Sequence, residues 1–263
     1  MPTVKTIRDY FESRVPTYLK MDFDNVGLLV GMADKPVTKA LVSLDITGEV
    51  ISEAVEWGAE LIVSHHPLFF ELKRISDEDL IGRKVIGLIS AGISAICLHT
   101  NLDTVEGGVN DALMSLLGGR VTGLLNQSGL TPEGKPYGIS RIGELDSPVE
   151  FDSFLIRIKS ALNAAGVRYY SAGHPVLKLA VCGGSGGGDL PLAASSGCDT
   201  FVTADVKYDQ FLAAKDYGIN LIDAGHFCTE NVVTPVIAAM LKDGFPEIEV
   251  RISSKHKQID SYY

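Results

Sequence analysis

No stretch of the sequence stays apolar for the roughly 18 residues that a membrane span needs. Cysteine is scarce. Cys97, Cys182, Cys198 and Cys228 are the four in the chain, and no two form a C-x-x-C pair. That excludes a disulfide-rich scaffold and argues against a thiolate metal site. Cys97 and Cys182 each close an apolar strand-like run and read as buried thiols. Runs of Lys and Arg are missing, and the net charge is −10, with 23 basic against 33 acidic residues. Such a surface gains little from phosphate electrostatics, so nucleic acid is not expected as a partner. A local cationic site, a metal centre included, would still take a phosphorylated small molecule. The N-terminal MPTVKTIRDYFESR mixes charges with apolar residues at helical spacing, unlike a signal h-region or transit peptide. The expected location is the cytoplasm.

What is present is ordinary globular material, 46% hydrophobic and 21% charged. Apolar runs of strand length alternate with amphipathic stretches, the pattern of βαβ units. A first helix is expected over 3–14 and a strand over 40–45. Thr47 is placed to cap a helix over 48–57. Strands follow at 61–64 and 95–99, with helices near 79–90 and 107–117. Residues 118–148 are rich in Gly, Ser, Thr and Pro and read as a junction. Beyond them, strands are expected at 167–170, 178–182, 200–203, 219–223 and 247–252. Helices are expected near 149–164, 189–196, 206–217 and 229–242.

Polar residues recur immediately after these strands. LIVS runs into His65-His66-Pro67, AICL into His99-Thr100-Asn101-Leu102-Asp103, TFVT into Ala204-Asp205, and INLID into Ala224-Gly225-His226. Ligands of open α/β sheets bind outside the carboxyl ends of the strands, so distant segments can converge there. Adjacent residues on a continuing strand face opposite ways. Pro67 helps end the strand, so both histidines can lie on a turn and face one pocket. An isolated His-His pair is more often two loop histidines without a role. In DAGHFCTE, His226 and Glu230 stand at i, i+4, a spacing that stacks them on one helical face. The bland alternative is a surface ion pair. With Asp103 the set is three imidazoles and two carboxylates, one more donor than a tetrahedral zinc uses. These donors suffice for two divalent ions, and nitrogen and oxygen alone suit Zn, Mn, Fe or Co.

Three weaker signals accompany these. GGSGGGD at 183–189 follows a strand but fails the G-x-G-x-x-G register, leaving a tight turn or a cavity lining. Asp45 ends SLDIT and is either turn chemistry or an orienter of a ligand histidine. His99 is placed like it, and Asp205 and Lys207 are candidate pocket wall. His174 and His256 are assigned no role, and Lys255-His256-Lys257 reads as a solvated C-terminus.

The chain resembles the NGG-interacting factor three-like family, whose members are often labelled GTP cyclohydrolase 1 type 2 homologs. The resemblance runs end to end: DFDNVGLLVG at 22–31, SLDIT at 43–47, SHHPLFF at 64–70, HTNLD at 99–103, VCGGSG at 181–186, TADVKYD at 203–209 and DAGHFCTE at 223–230. It implies that His65, His66, Asp103, His226 and Glu230 bind two divalent metals, with Glu230 as the bridge. It also implies a toroidal homohexamer. Phe23 stands where the family usually has Trp, Ala204 where it often has Gly, and Asp209 where many members have His. The extra middle domain of longer members is missing.

The fold class expected is α/β: two similar interlocked halves with mostly parallel mixed sheets, the metal site at the C-terminal strand ends between them. The division is 1–125, with the HHP and HTNLD motifs; a junction at 126–148; and 149–263, with DAGHFCTE. The function expected is a metal-dependent hydrolase acting on a nucleotide or phosphorylated small molecule, with Asp45 and His99 as candidates for proton transfer. The rival is a non-catalytic metal-binding hexamer, a scaffold or metal-handling protein. The same five ligands would serve it.

Overall fold

In the computed structural model, which describes all 263 residues, thirteen strands and ten α-helices succeed one another. The strands are β1 Gly27–Val30, β2 Lys39–Ser43, β3 Leu61–Ser64, β4 Ser94–Cys97, β5 Gly119–Leu124, β6 Gly129–Leu130 and β7 Pro136–Tyr137. They continue with β8 Arg141–Val149, β9 Arg168–Tyr170, β10 Val176–Val181, β11 Thr200–Thr203, β12 Asn220–Asp223 and β13 Glu249–Ile252. The helices are α1 Val4–Arg14, α2 Gly48–Trp57, α3 Leu80–Ala91, α4 Thr100–Thr104 and α5 Val109–Leu116. After them come α6 Phe151–Ala161, α7 Leu190–Ser195, α8 Tyr208–Tyr217, α9 His226–Glu230 and α10 Thr234–Gly244. Thr47 caps α2 as expected, its hydroxyl accepting from the Val50 amide at 3.2 Å. No helix is long and apolar enough to cross a membrane.

The chain divides into two compact units. Unit 1 is Met1–Leu102 with Val233–Lys257, and unit 2 is Asp103–Val232 with Gln258–Tyr263. These do not follow the division at 126–148. That segment lies inside unit 2, and α10 and β13 belong to unit 1 because β13 pairs in parallel with β2. The Gly- and Pro-rich composition of 118–148 conceals β5 and β8, which form an antiparallel pair. β5 is an exposed edge strand, where turn-forming residues are tolerated, and β8 is held as a strand by β5 and β10 on its two sides. β1 is not among the expected strands; it pairs with β4 antiparallel across an irregular register.

Unit 1 has a sheet of order β1-β4-β3-β2-β13, parallel except where β1 meets β4. One apolar cluster joins Leu41, Ile62 and Ala95 of the strands to Val50 and Ala54 of α2 and Val85 and Leu88 of α3. Unit 2 has a sheet of order β5-β8-β10-β11-β12-β9, parallel only at β10-β11 and β11-β12. It is mixed rather than mostly parallel. Its strands alternate strictly. Leu179, Val181, Val202 and Ile222 pack with α5 and α6, while Ala180, Phe201 and Leu221 pack with α7 and α8. A period of two on strands buried on both faces produces these two cores.

All four cysteines are buried and unbridged. Burial pushes the thiol of Cys182 up to about 12 and those of Cys198 and Cys228 up to about 11. Iodoacetamide at pH 8 should therefore label none of the four in the native protein and all of them in denaturant, read by mass spectrometry. Phe201 has no exposure, and Phe201→Ala should cost ~3–5 kcal/mol in urea unfolding.

Candidate metal centre

Strand register decides which side chains meet in unit 1. Ser43 of β2 lies opposite Ser64 of β3, and Ser64 opposite Cys97 of β4. Two residues beyond each of these come Asp45, His66 and His99. The ladder runs on past the strand ends, with the His66 amide donating to the Leu44 carbonyl at 2.8 Å and the Leu98 amide to Ser64 at 2.9 Å. Pro67 then turns the chain away, and both adjacent histidines face the same way. The ring centroids of His65 and His66 are 5.0 Å apart, and His99 lies 5.3 and 5.6 Å from them. These three rings offer nitrogens within 4.8 Å of one another, close enough to share a cation.

Each imidazole of this triad commits its Nδ1 to a protein acceptor. His65 Nδ1 donates to the Leu98 carbonyl at 2.9 Å. His66 donates to Asp45 Oδ1 at 2.8 Å, and His99 to Asp24 Oδ1 at 2.8 Å. An Nδ1–H held in this way leaves the Nε2 lone pair for a metal, the arrangement that orients metal-binding histidines generally. Asp24 explains the DFDNVG motif. Besides His99 it accepts from the Thr100 amide at 3.0 Å and the Thr100 hydroxyl at 2.5 Å, capping α4. Burial pushes its carboxyl up, but these hydrogen bonds outweigh that and hold it at about 2.

Asp45 holds the His66 ring through Oδ1, the contact that one of its two sequence readings requires. Its second oxygen takes a bond from His256 Nε2 at 2.7 Å. Burial raises the Asp45 carboxyl, yet the two imidazole donors, His256 ahead of His66, hold it well below the usual carboxylate range. His256 is therefore not part of a solvated tail. Its side chain is only 9% exposed. Nothing in Lys255-His256-Lys257 signals this, because the pairing of β13 with β2 is what brings the tail there.

Unit 2 carries a matching rim. Val181 lies opposite Val202, and Thr203 opposite Asp223, so Asp205 and Gly225 leave their strands at one level. Gly225, at φ 85°, starts α9 and presents His226. His226 Nε2 lies 2.9 Å from Glu230 Oε2, the i, i+4 pair read from the sequence. Its Nδ1 is 2.7 Å from Asp205 Oδ2. Asp205 is one of two non-glycine residues at positive φ, a strained backbone kept where it aims a carboxylate at an imidazole. The Glu230 hydrogen bond outweighs burial and, with Asp205, pushes His226 up to about 9. His226 and Glu230 thus face each other as two potential ligands of one cation.

Asp103 and Glu230 are both buried and offer ligand oxygens within 4.8 Å of each other. Two residues that the sequence did not single out hold the Asp103–Thr104 backbone. Asn110 donates to the Asp103 carbonyl at 3.3 Å and accepts from the Gly183 amide at 2.8 Å. Arg141, buried, donates to Asp111 at 2.7 Å and to the Thr104 carbonyl at 2.8 Å. Asp223 of the DAGH motif accepts from the Val206 and Gly225 amides, each at 3.1 Å, tying the Asp205 and His226 turns together. The GGSGGGD turn backs Glu230. Gly184 sits at φ 62°, and a Cβ there would collide with Glu230 Oε1. It is a packing turn against the site. Lys207 is exposed ahead of α8, as is Asp209 in its first turn, and His174 bonds to Gly218 in a loop. The unit boundary falls inside HTNLD, so His65, His66 and His99 belong to unit 1 and Asp103, His226 and Glu230 to unit 2.

The chain is similar to several known proteins. The chain is 37% identical over 254 residues to a GTP cyclohydrolase 1 type 2 homolog of Clostridium perfringens, covering 95% of this chain and 96% of the relative. A homolog of the same name from Clostridium acetobutylicum is 33% identical, covering 98% and 97%. A Staphylococcus aureus hypothetical protein of solved structure superposes with a TM-score of 0.92 at 29% identity, covering 99% of each chain. A Bacillus cereus protein related to NIF3 has a TM-score of 0.93 at 24% identity, covering 100% of this chain and 99% of that one, which shows a common fold. The sequence profile of Duf34/NIF3 (NGG1p interacting factor 3) matches residues 2–259, and the chain belongs to that family.

Proposed function

We propose that this protein binds two divalent metal ions through His65, His66, Asp103, His226 and Glu230 and uses them to hydrolyse a nucleotide or another phosphorylated small molecule. The observation that carries this reading is the shared state of the imidazoles. His65, His66 and His226 each have Nδ1 held by a carbonyl or carboxylate at 2.7–2.9 Å. That is how a protein pre-orients Nε2 toward a metal. The donor set fits such ions. It holds nitrogen and oxygen only, while the thiols lie buried in the cores, so Zn, Mn, Fe and Co suit it better than a soft metal. The similarity to GTP cyclohydrolase 1 type 2 homologs favours ring-opening hydrolysis of GTP within this class.

When bound, two divalent ions supply Lewis acidity and a nucleophilic water at neutral pH. The residues of the chain do the rest. Glu230 is the proposed bridging carboxylate. Asp45 already accepts from two imidazoles and serves to orient, so proton transfer falls to His99, whose ring stands beside the ligand histidines. The assembly proposed is a toroidal homohexamer, as the family resemblance implies, and light scattering reads its mass; the location proposed is the cytoplasm.

Protein purified without chelator should carry close to two transition-metal ions per chain by elemental analysis, and His65→Ala combined with Glu230→Gln should lose most of them. Asp45→Asn, which keeps the shape but removes the charge that holds His66, should weaken metal binding by about 10–100-fold in chelator competition. Metal-loaded protein should turn over a nucleotide or phosphoester in a screen across defined metals, and Asp103→Asn should abolish that turnover. Full metal loading without turnover of any substrate would leave a binding protein and overturn the hydrolase.

A further inference from the structure

The C-terminal segment of unit 1 is tied to the candidate centre more firmly than a tail requires. β13 lies in parallel register beside β2, Ile252 opposite Val42, and the Ser253 amide extends that ladder to the Val42 carbonyl at 2.7 Å. The chain then folds over the side chain of Glu53 on α2. One Glu53 oxygen accepts from the Ser253 hydroxyl at 2.5 Å, and the other from the Ser254 amide at 3.0 Å and hydroxyl at 2.8 Å. Ser253 Oγ in turn accepts from the amides of Lys255 and His256 at 3.2 and 3.3 Å. This closed turn sets the direction in which His256 leaves. Its Nε2 meets Asp45 Oδ2 at 2.7 Å, while Asp45 Oδ1 holds His66 Nδ1 at 2.8 Å.

From this geometry we infer that Ser253–His256 is a clamp on the metal centre, in which Glu53 shapes the turn and His256 fixes Asp45 so that His66 presents Nε2 to the ion. His256 is a positioning residue and touches no metal itself. The inference rests on the reading of His66 as a ligand.

The physical need for such a clamp is clear. Asp45 follows a strand end, and one hydrogen bond leaves a carboxylate free to rotate about its side-chain torsions. A second donor on the opposite oxygen removes that freedom and lets Asp45 define the plane of the His66 ring. Held from both sides, Asp45 keeps one acceptor oxygen aimed at His66 Nδ1, which favours the tautomer with its lone pair on Nε2. Sequence distance hides the arrangement: Asp45 and His256 are separated by 211 positions and meet only because β13 completes the sheet of unit 1.

Cobalt(II) titration of the full-length protein tests the clamp, because its visible bands report ligand geometry as well as affinity. His256→Ala should weaken cobalt binding by about 10–100-fold, as loss of an outer partner does, and shift the bands. Glu53→Gln should move both readouts the same way by less. His256→Gln, whose amide can still donate to Asp45, should restore most of the wild-type behaviour. Isotope-labelled histidine spectra of the metal-free protein give an independent reading, with His66 as the Nδ1–H tautomer in wild type and a mixture in His256→Ala. If wild type binds cobalt and His256→Ala matches it in affinity and bands, the clamp is overturned and the metal reading survives. If wild type takes up no cobalt, the metal reading fails, and an unchanged His66 tautomer in His256→Ala would then sink the clamp as well.

Discussion

Parallel strands in register end at one level, and the candidate chemistry of this protein depends on that constraint. In unit 1, the pairings Ser43–Ser64 and Ser64–Cys97 place Asp45, His66 and His99 two steps beyond three neighbouring strands. In unit 2, the pairings of β10, β11 and β12 do the same for Gly184, Asp205 and Gly225. A shift of one residue in any of these ladders would exchange the two faces of a strand and turn its terminal side chain away. The apolar clusters on the strands therefore do more than stabilise. By requiring Leu179 and Val181 on one face and Ala180 on the other, they set the register that aims the polar rim.

Each unit builds its strand ends from carboxylate–imidazole pairs: Asp24 with His99 and Asp45 with His66 and His256 in unit 1, Asp205 with His226 in unit 2. Burying such charges is costly, and the cost is offset only when the remaining lone pairs are also satisfied. Asp24 meets that condition through Thr100, and Asp45 through its second histidine. These pairs fix the orientation of each ring from within the chain. Truncating one partner would harm function more than stability, because the freed imidazole can rotate and take the other tautomer.

Connectivity adds a second constraint. The chain leaves unit 1 after Leu102, builds most of unit 2, and returns at Val233 to supply α10 and β13. The sheet of unit 1 is thus completed by β13 pairing with β2, Glu249 opposite Lys39, a pairing of high sequence separation that slows folding. The same detour carries His256 to Asp45. An edge strand that arrives last and ends beside the candidate centre couples completion of the sheet to the geometry of the site.

Much of this was legible in the sequence because it is local. The strand at 61–64 and the strand at 200–203 stand as read, and the Thr47 cap opens the expected helix. The i, i+4 pairing of His226 and Glu230 is fixed by helical geometry alone, and HTNLD and DAGHFCTE identify the family without coordinates. What only the tertiary structure decided is non-local. β5 and β8 are strands through their partners and not through their composition, and α10 and β13 join the first sheet by pairing with β2. Asn110, Arg141, Asp24 and His256 earn their places by bonds to residues tens to hundreds of positions away. A chain specifies its turns and faces through neighbours a few residues apart. Which distant side chain completes a hydrogen bond is settled only once the strands have paired.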